Sequence, residues 1–140
     1  MISESEFRSL VSREVIDRNG KSVGYVETIF GRRRYIPEIR DRNFNTRAFG
    51  ERQAQNAPLQ GSAADLIKIA MTRLHRALAG DGLRGRLLLQ VHDELVLEAP
   101  VSEVEPVSAL VREHMEGAAQ LSVPLVVGVG VGDNWLDAKQ

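Results

Sequence analysis

Apolar positions along the chain switch between two periods, and the switching predicts the elements. Residues 3–18 carry Phe7, Leu10, Val11 and Val15 at helical spacing. That narrow stripe predicts a helix lying on a larger body, stopped by Asn19-Gly20. Residues 25–29 and 33–36 read as a hairpin around Phe30-Gly31, ended by Pro37, which lacks a ladder donor. Residues 38–45 read as loop. Residues 46–56 read as a polar helix capped by Asn45 or Thr46 and broken by Pro58. The strongest helical period covers residues 59–78, with Ala63, Leu66, Ile67, Ala70, Met71, Leu74 and Leu78 on one core-facing stripe. Ser62 with Asp65 three residues on resembles a capping box at its start, and Gly80 and Gly82 end it.

A hairpin from Arg86 to Glu98 follows, in which two apolar runs flank three polar residues, His92, Asp93 and Glu94. Their alternation predicts two strands joined by a very tight turn with His92 and Asp93 at its centre. Ser102-Glu103-Val104-Glu105 reads as a second capping box, opening a helix whose buried face is Val104, Val107, Leu110, Val111, Met115 and Ala118. Residues 121–131 alternate as a final strand, and Gly128, Gly130 and Gly132 leave its other face open to close packing. No internal repeat or low-complexity segment is visible. The pattern is α+β, with helices packed on a small antiparallel sheet.

Composition narrows the class. The chain has 140 residues, 43% hydrophobic, which is enough for a core and argues against disorder. There is no cysteine, which excludes disulfides and thiolate zinc sites. No apolar run approaches the roughly 20 residues that span a bilayer, and the acidic N-terminus is unlike a secretory signal. These features predict a soluble, cytoplasmic protein without a membrane partner. The net charge of −1 hides an asymmetry. Residues 31–47 hold Arg32, Arg33, Arg34, Arg40, Arg42 and Arg47 against Glu38 and Asp41, so this tract is strongly basic and the remainder acidic. A local polyanion contact and a solvated arginine-rich loop both fit that tract.

Two further patterns carry candidate chemistry. The hairpin turn lacks the Asn-Gly, Asp-Gly or Gly-X usual in two-residue loops. Its His92, Asp93 and Glu94 instead place two carboxylates at an apolar tip, where they can offer oxygen ligands to a hard cation such as Mg²⁺. The alternative is an Asp that bonds its own turn backbone. Arg52, Asn56 and Gln60 stand four residues apart, so on a helix they line one face. These donor-rich planar groups suit phosphates and minor-groove acceptors, although an ordinary solvated face has the same spacing. His75 and His114 fall within helices with no visible partner ligands, and are read as structural or exposed.

At these residues the sequence resembles a known family. Gln90-Val91-His92-Asp93-Glu94-Leu95-Val96 resembles motif C of family A DNA polymerases, the bacterial DNA polymerase I family. Gly24-Tyr25-Val26-Glu27-Thr28 with Gly31-Arg32-Arg33-Arg34-Tyr35-Ile36-Pro37 resembles the segment after that family's fingers helices. Residues 51–65, Glu-Arg-Gln-Ala-Gln-Asn-Ala-Pro-Leu-Gln-Gly-Ser-Ala-Ala-Asp, resemble its Glu-Arg…Asn-x-Pro-x-Gln-Gly-Thr/Ser-Ala-Ala-Asp signature. Val123-Pro124-Leu125 and the Gly-x-Asn-Trp ending resemble its C-terminus. The match runs from about residue 24 to the end. It divides the chain into an N-terminal helix and turn, residues 1–23, and a palm and fingers segment, residues 24–140.

The resemblance implies template-directed nucleotidyl transfer in DNA replication and repair. Asp93 would be one of two metal-holding catalytic aspartates in a two-metal Mg²⁺ site. Glu94 would support that site and His92 would lie near the primer terminus. Arg52, Asn56 and Gln60 would contact primer–template DNA, with Arg52 and Gln60 on the minor-groove side. Arg32, Arg33 and Arg34 would approach phosphate.

The family's second aspartate belongs to an Asp-Tyr-Ser-x-Ile-Glu-Leu-Arg segment, which these 140 residues lack. They also lack the Arg-x-x-x-Lys-x-x-x-Phe-Gly helix that binds the incoming deoxynucleoside triphosphate. Both are expected N-terminal to Met1. The isolated chain is therefore expected to be inactive, needing the remainder of the polymerase or a complementing chain. Two other readings are a non-catalytic DNA-binding or assembly module that kept the palm fold, and a metal-dependent hydrolase using Asp93 and Glu94. The hydrolase reading lacks further clustered carboxylates.

Overall fold

Proline inside a helix removes one N–H and crowds the carbonyl four residues back, so a break at Pro58 is the sequence expectation. The computed structural model, which describes residues 15–16 and 22–139, departs from it. Helix α1, Phe44–Gly80, runs unbroken for 37 residues with Pro58 inside. An interior proline costs about 3 kcal/mol. Packing on both sides of it offsets that cost. Before it, Ala54 and Ala57 are buried against Val26 and Ile36. After it, Ile67, Ala70, Leu74 and Leu78 are buried. Ala63, expected on this stripe, is exposed.

Contacts group the chain into two units, residues 1–65 and 66–140. In the first, β1 (Val15–Ile16) pairs antiparallel with β2 (Ser22–Val23), Val15 opposite Val23. The helix expected over residues 3–18 otherwise lies outside the described residues. At 15–16 the strand replaces it, because β-branched Val and Ile fit a pleated ladder better than a helix.

The next hairpin forms as expected. Strand β3 (Tyr25–Glu27) pairs with β4 (Arg33–Tyr35), with Tyr25 opposite Tyr35 and Glu27 opposite Arg33. Pro37–Arg40, expected as loop, makes one 3₁₀ turn. The core of this unit is Val26, Ile36, Ala54 and Ala57, with Ile39 packed against them.

The second unit is built on β5 (Arg86–Val91) and β6 (Glu94–Glu98), the antiparallel hairpin of the sequence reading. Helix α2, Val104–Glu116, contributes Val107 and Val111 to a core with Leu74 and Leu78, and Leu87, Leu95 and Leu97 pack against it. A bulge at Leu88 interrupts the ladder between Leu87↔Leu97 and Leu89↔Val96. Alternation along β6 puts Leu95 and Leu97 on the core face and Glu94 and Val96 on the other. The short helix α3, Trp135–Ala138, closes the described chain.

Three local expectations fail for stated reasons. Ser102 opens no capping box: α2 begins after a 3₁₀ turn, Val101–Glu103, with no side-chain cap bond. The Glu103 carboxylate instead accepts the Arg84 N–H at 2.8 Å, the Gly85 N–H at 3.1 Å and Arg84 Nε at 3.1 Å. Ser62 and Asp65 start no helix either, since both lie within α1. Residues 121–131 keep the expected alternation at Leu125, Val127 and Val129, which are half-buried between exposed neighbours. They nevertheless join no ladder among the described residues. Alternation reports which side chains face a core, whereas a ladder also needs a neighbouring strand edge. The Val127 N–H goes to Glu116 Oε1 at 3.0 Å. The α+β class holds, with helices and small two-stranded antiparallel sheets.

Candidate metal-binding hairpin and nucleic-acid face

Registry places His92 and Asp93 alone between the last ladder pair, Val91↔Glu94. His92 has φ of 53°, the left-handed region, and is the only non-glycine residue so placed among the described residues. Such a conformation is uncommon outside glycine and is enriched for Asn, Asp and His. The tight turn therefore exists, with His92 taking the position that glycine usually fills. Gln90 Nε2 donates to the His92 carbonyl at 2.9 Å and braces the turn.

His92, Asp93 and Glu94 are all exposed at the tip. Among the described residues, no hydrogen bond or ion pair engages the Asp93 side chain. The Glu94 carboxylate is engaged: Lys139 Nζ lies 3.2 Å from its Oε2. The two adjacent carboxylates are hard oxygen donors that fit a divalent cation. Among the described residues no cluster of three or more potential ligands is present, so the donor set is that of a partial site.

Glycines bring Lys139 to this place. The open face expected at Gly128, Gly130 and Gly132 is used at the last two. A Cβ on Gly130 would collide with the Ala138 carbonyl oxygen, and one on Gly132 would lie 2.7 Å from the Ala138 nitrogen. Only glycine backbone lets α3 sit this close. Asn134 caps α3 by accepting the Asp137 N–H at 3.1 Å, and Lys139 also lies 4.8 Å over the Trp135 ring. Position 139 gave no signal in the sequence, because a lysine near an apolar ending has no periodic meaning.

In the first unit, Arg52, Asn56 and Gln60 are exposed along α1. Because the helix is continuous, successive members turn by only about 40° and the three span about 12 Å. Gln60 borders a cavity of about 190 Å³ that Arg32 and Arg34 also line. The three consecutive arginines differ in their partners. Arg32 Nε donates to Asp65 Oδ1 at 2.7 Å and its NH2 group to the Gly61 carbonyl at 3.2 Å. Arg33 donates to Glu27 at 2.8 Å and stacks 4.7 Å over the Tyr25 ring. The Glu27 hydrogen bond, with help from Tyr25, raises the Arg33 pKa above its ordinary value. Arg34 is exposed at the cavity.

Ser62 and Asp65 are thus anchor points. Ser62 Oγ accepts the Ile29 N–H at 2.9 Å and Asp65 holds Arg32, tying the β3–β4 loop to α1. The sequence reading took their spacing for a local cap and missed this long-range use. His75 is exposed and His114 half-buried, as expected.

Comparison with known proteins gives the family. A family model for DNA polymerase family A matches residues 11–137. DNA polymerase I of Bacillus caldotenax is 55% identical over 126 residues, covering 90% of this chain and 14% of that protein. DNA polymerase I of Streptococcus pneumoniae (strain TIGR4) is 53% identical over 122 residues, covering 87% of this chain and 14% of its own length. The thermostable DNA polymerase I of Thermus thermophilus is 55% identical over 121 residues, 86% of this chain and 14% of the relative. The chain therefore spans about one-seventh of the relatives it matches. Among solved structures, the polymerase domain of Pol1 from M. smegmatis, in complex with DNA primer-template and dNTP, superimposes with a TM-score of 0.85. It is 46% identical, over 97% of this chain and 23% of that one. With nine-tenths of its length inside the family match, the chain belongs to DNA polymerase family A.

Proposed function

We propose that this chain supplies the motif C hairpin and part of the primer–template surface of a DNA-directed DNA polymerase. The observation that carries the reading is the two-residue turn, in which His92 adopts φ of 53° and leaves Asp93 and Glu94 exposed side by side. A turn chosen for stability alone would favour Asn-Gly or Gly-X. The membership in family A and the DNA-bound neighbour support the same reading.

In this proposal Asp93 and a second aspartate from outside these 140 residues hold the divalent cations. Mg²⁺ bound there would supply charge neutralisation at the transferring phosphoryl group and activation of the nucleophile. The chain's own residues do the rest. Asp93 keeps an unengaged carboxylate at a fixed point of a braced turn, Glu94 stands beside it, and His92 lies at the primer terminus. Arg52, Asn56 and Gln60 donate from one helix face to minor-groove acceptors and backbone oxygens. Those acceptors are largely independent of sequence, which suits an enzyme that copies any template. Arg34 contributes a cation to the phosphate path, while Arg32 and Arg33 add charge from side chains already held by Asp65 and Glu27.

Grafting tests the proposal. Residues 24–140 replace the corresponding segment of the M. smegmatis polymerase domain, and primer extension and primer–template binding are measured with Mg²⁺ and nucleotides. The graft should extend primers, its Asp93→Ala form should fail to extend yet still bind DNA, and the isolated 140-residue chain should extend nothing. Extension that survives Asp93→Ala would remove Asp93 from the metal site.

A further inference from the structure

Adjacent carboxylates at an exposed tip would ordinarily compete for the same cation. Here they are treated differently. Glu94 meets an ammonium at 3.2 Å, and Asp93 meets none among the described residues. The ammonium is also not a wandering surface charge. Its backbone follows directly on α3, which Gly130 and Gly132 seat against the chain and Asn134 caps. Its side chain is further confined over the Trp135 ring at 4.8 Å. The seating of α3 and the Trp135 contact together fix where this ammonium lies.

We infer that Lys139 is a positioning residue that holds Glu94 out of the cation's coordination sphere, leaving Asp93 as the tip's single metal ligand. The inference rests on the proposed metal role of Asp93. Physically, the lysine does two things. It occupies Glu94 Oε2, so that carboxylate must break an ion pair before it can ligate. It also lowers the net charge of the tip from −2 to −1, which limits capture of a cation before the second aspartate is in place. An exposed ion pair, with both side chains about half accessible, contributes modestly, so releasing Glu94 should tighten divalent binding about twofold to fivefold.

The test uses the 140-residue chain and Mn²⁺ as the probe, followed by paramagnetic broadening of the hairpin amide signals. Lys139→Met should bind Mn²⁺ at the tip about twofold to fivefold more tightly than the unsubstituted chain. Lys139→Arg should restore the original affinity, and Lys139→Met with Glu94→Gln should cancel the gain. A purely structural lysine would not give that cancellation, because its loss would loosen the turn and weaken binding. Equal or weaker Mn²⁺ binding in Lys139→Met overturns the inference. A gain that persists with Glu94→Gln also overturns it. Asp93→Asn separates the two ideas: unchanged affinity there refutes the metal role of Asp93, whatever Lys139 does. A metal-free readout stands beside these. The Lys139 ammonium proton signal should exchange faster with water in Glu94→Gln, and an unchanged rate would show that no such pair forms.

Discussion

Removing one oxygen, in Ser62→Ala, tests how the arginine-bearing hairpin is held to α1. Ser62 is buried, with 8% of its surface exposed, and its Oγ is the acceptor for the Ile29 N–H at 2.9 Å. Alanine fits the helix better than serine, so local propensity predicts stabilisation by a few tenths of a kcal/mol. The lost acceptor works the other way. A donor stranded away from water costs about 1–3 kcal/mol. Ile29 is itself exposed, so water can reach part of the vacated site and the lower half of that range applies. The net expectation is destabilisation of the β3–β4 loop by about 1 kcal/mol, which is a factor of about five in its opening equilibrium. Native-state amide exchange measures it residue by residue. Ile29 should lose about fivefold protection, Gly31 and Arg32 should follow in part, and amides of the β5–β6 hairpin should not change. Ser62→Thr, which keeps a hydroxyl, should preserve protection wherever the extra methyl is accommodated. Unchanged Ile29 exchange in Ser62→Ala would refute the anchor and return Ser62 to an ordinary helix position.

The other predictions use different probes. Leu74→Ala, at a fully buried position, should cost about 2–5 kcal/mol in urea unfolding; a loss below 1 kcal/mol would mean the site collapses without a cavity. For Glu103, partial burial alone would raise the carboxyl pKa. The Arg84 guanidinium and the Arg84 and Gly85 N–H groups outweigh that and hold it below its ordinary 4.5. A lowered folded pKa means the interaction stabilises the fold above that ordinary value and is lost as pH falls through the folded one. The stability difference between the native chain and Glu103→Gln should therefore be flat at neutral pH and shrink on acidification, and a difference that grows in acid would reverse the assignment. Arg52→Ala in the grafted polymerase should weaken primer–template binding and reduce the salt slope by about one counterion if the contact is to phosphate. An unchanged slope with weaker binding would move the contact to a base edge.

Legibility from sequence followed the range of the interactions involved. The β5–β6 hairpin was readable because alternation and a two-residue interval are both local, and the odd His92-Asp93 turn marked the functional tip. The second half of α1 was readable from its 3.6 period. Several of the differences involve partners distant in sequence. Pro58 reads as a break because its cost is local, while part of its compensation comes from Val26 and Ile36, some twenty to thirty residues away. Ser62 and residues 102–105 read as local caps, yet the Ser62 and Glu103 side-chain oxygens accept N–H groups at Ile29, Arg84 and Gly85. Residues 121–131 showed correct facing but no ladder, because pairing depends on an edge that their own pattern does not encode. Lys139 was invisible for the same reason, although Gly130 and Gly132 announced that something would approach.

The bulge at Leu88 separates two properties that hairpins usually tie together. Leu88 is the one residue of β5 without a cross-strand partner, since the pairs on either side are Leu87↔Leu97 and Leu89↔Val96. Deleting it would leave every pair to the Val91↔Glu94 end in register, with the same residues facing the same sides. What would change is the local twist that a bulge adds, and with it the direction in which Asp93 points. Insertions and deletions in strands are normally purged because a one-residue slip turns the core face outward. At Leu88 the strand carries a length adjustment that escapes that penalty, so the aim of the carboxylate tip can be tuned by evolution or by design without rewriting the hairpin that carries it.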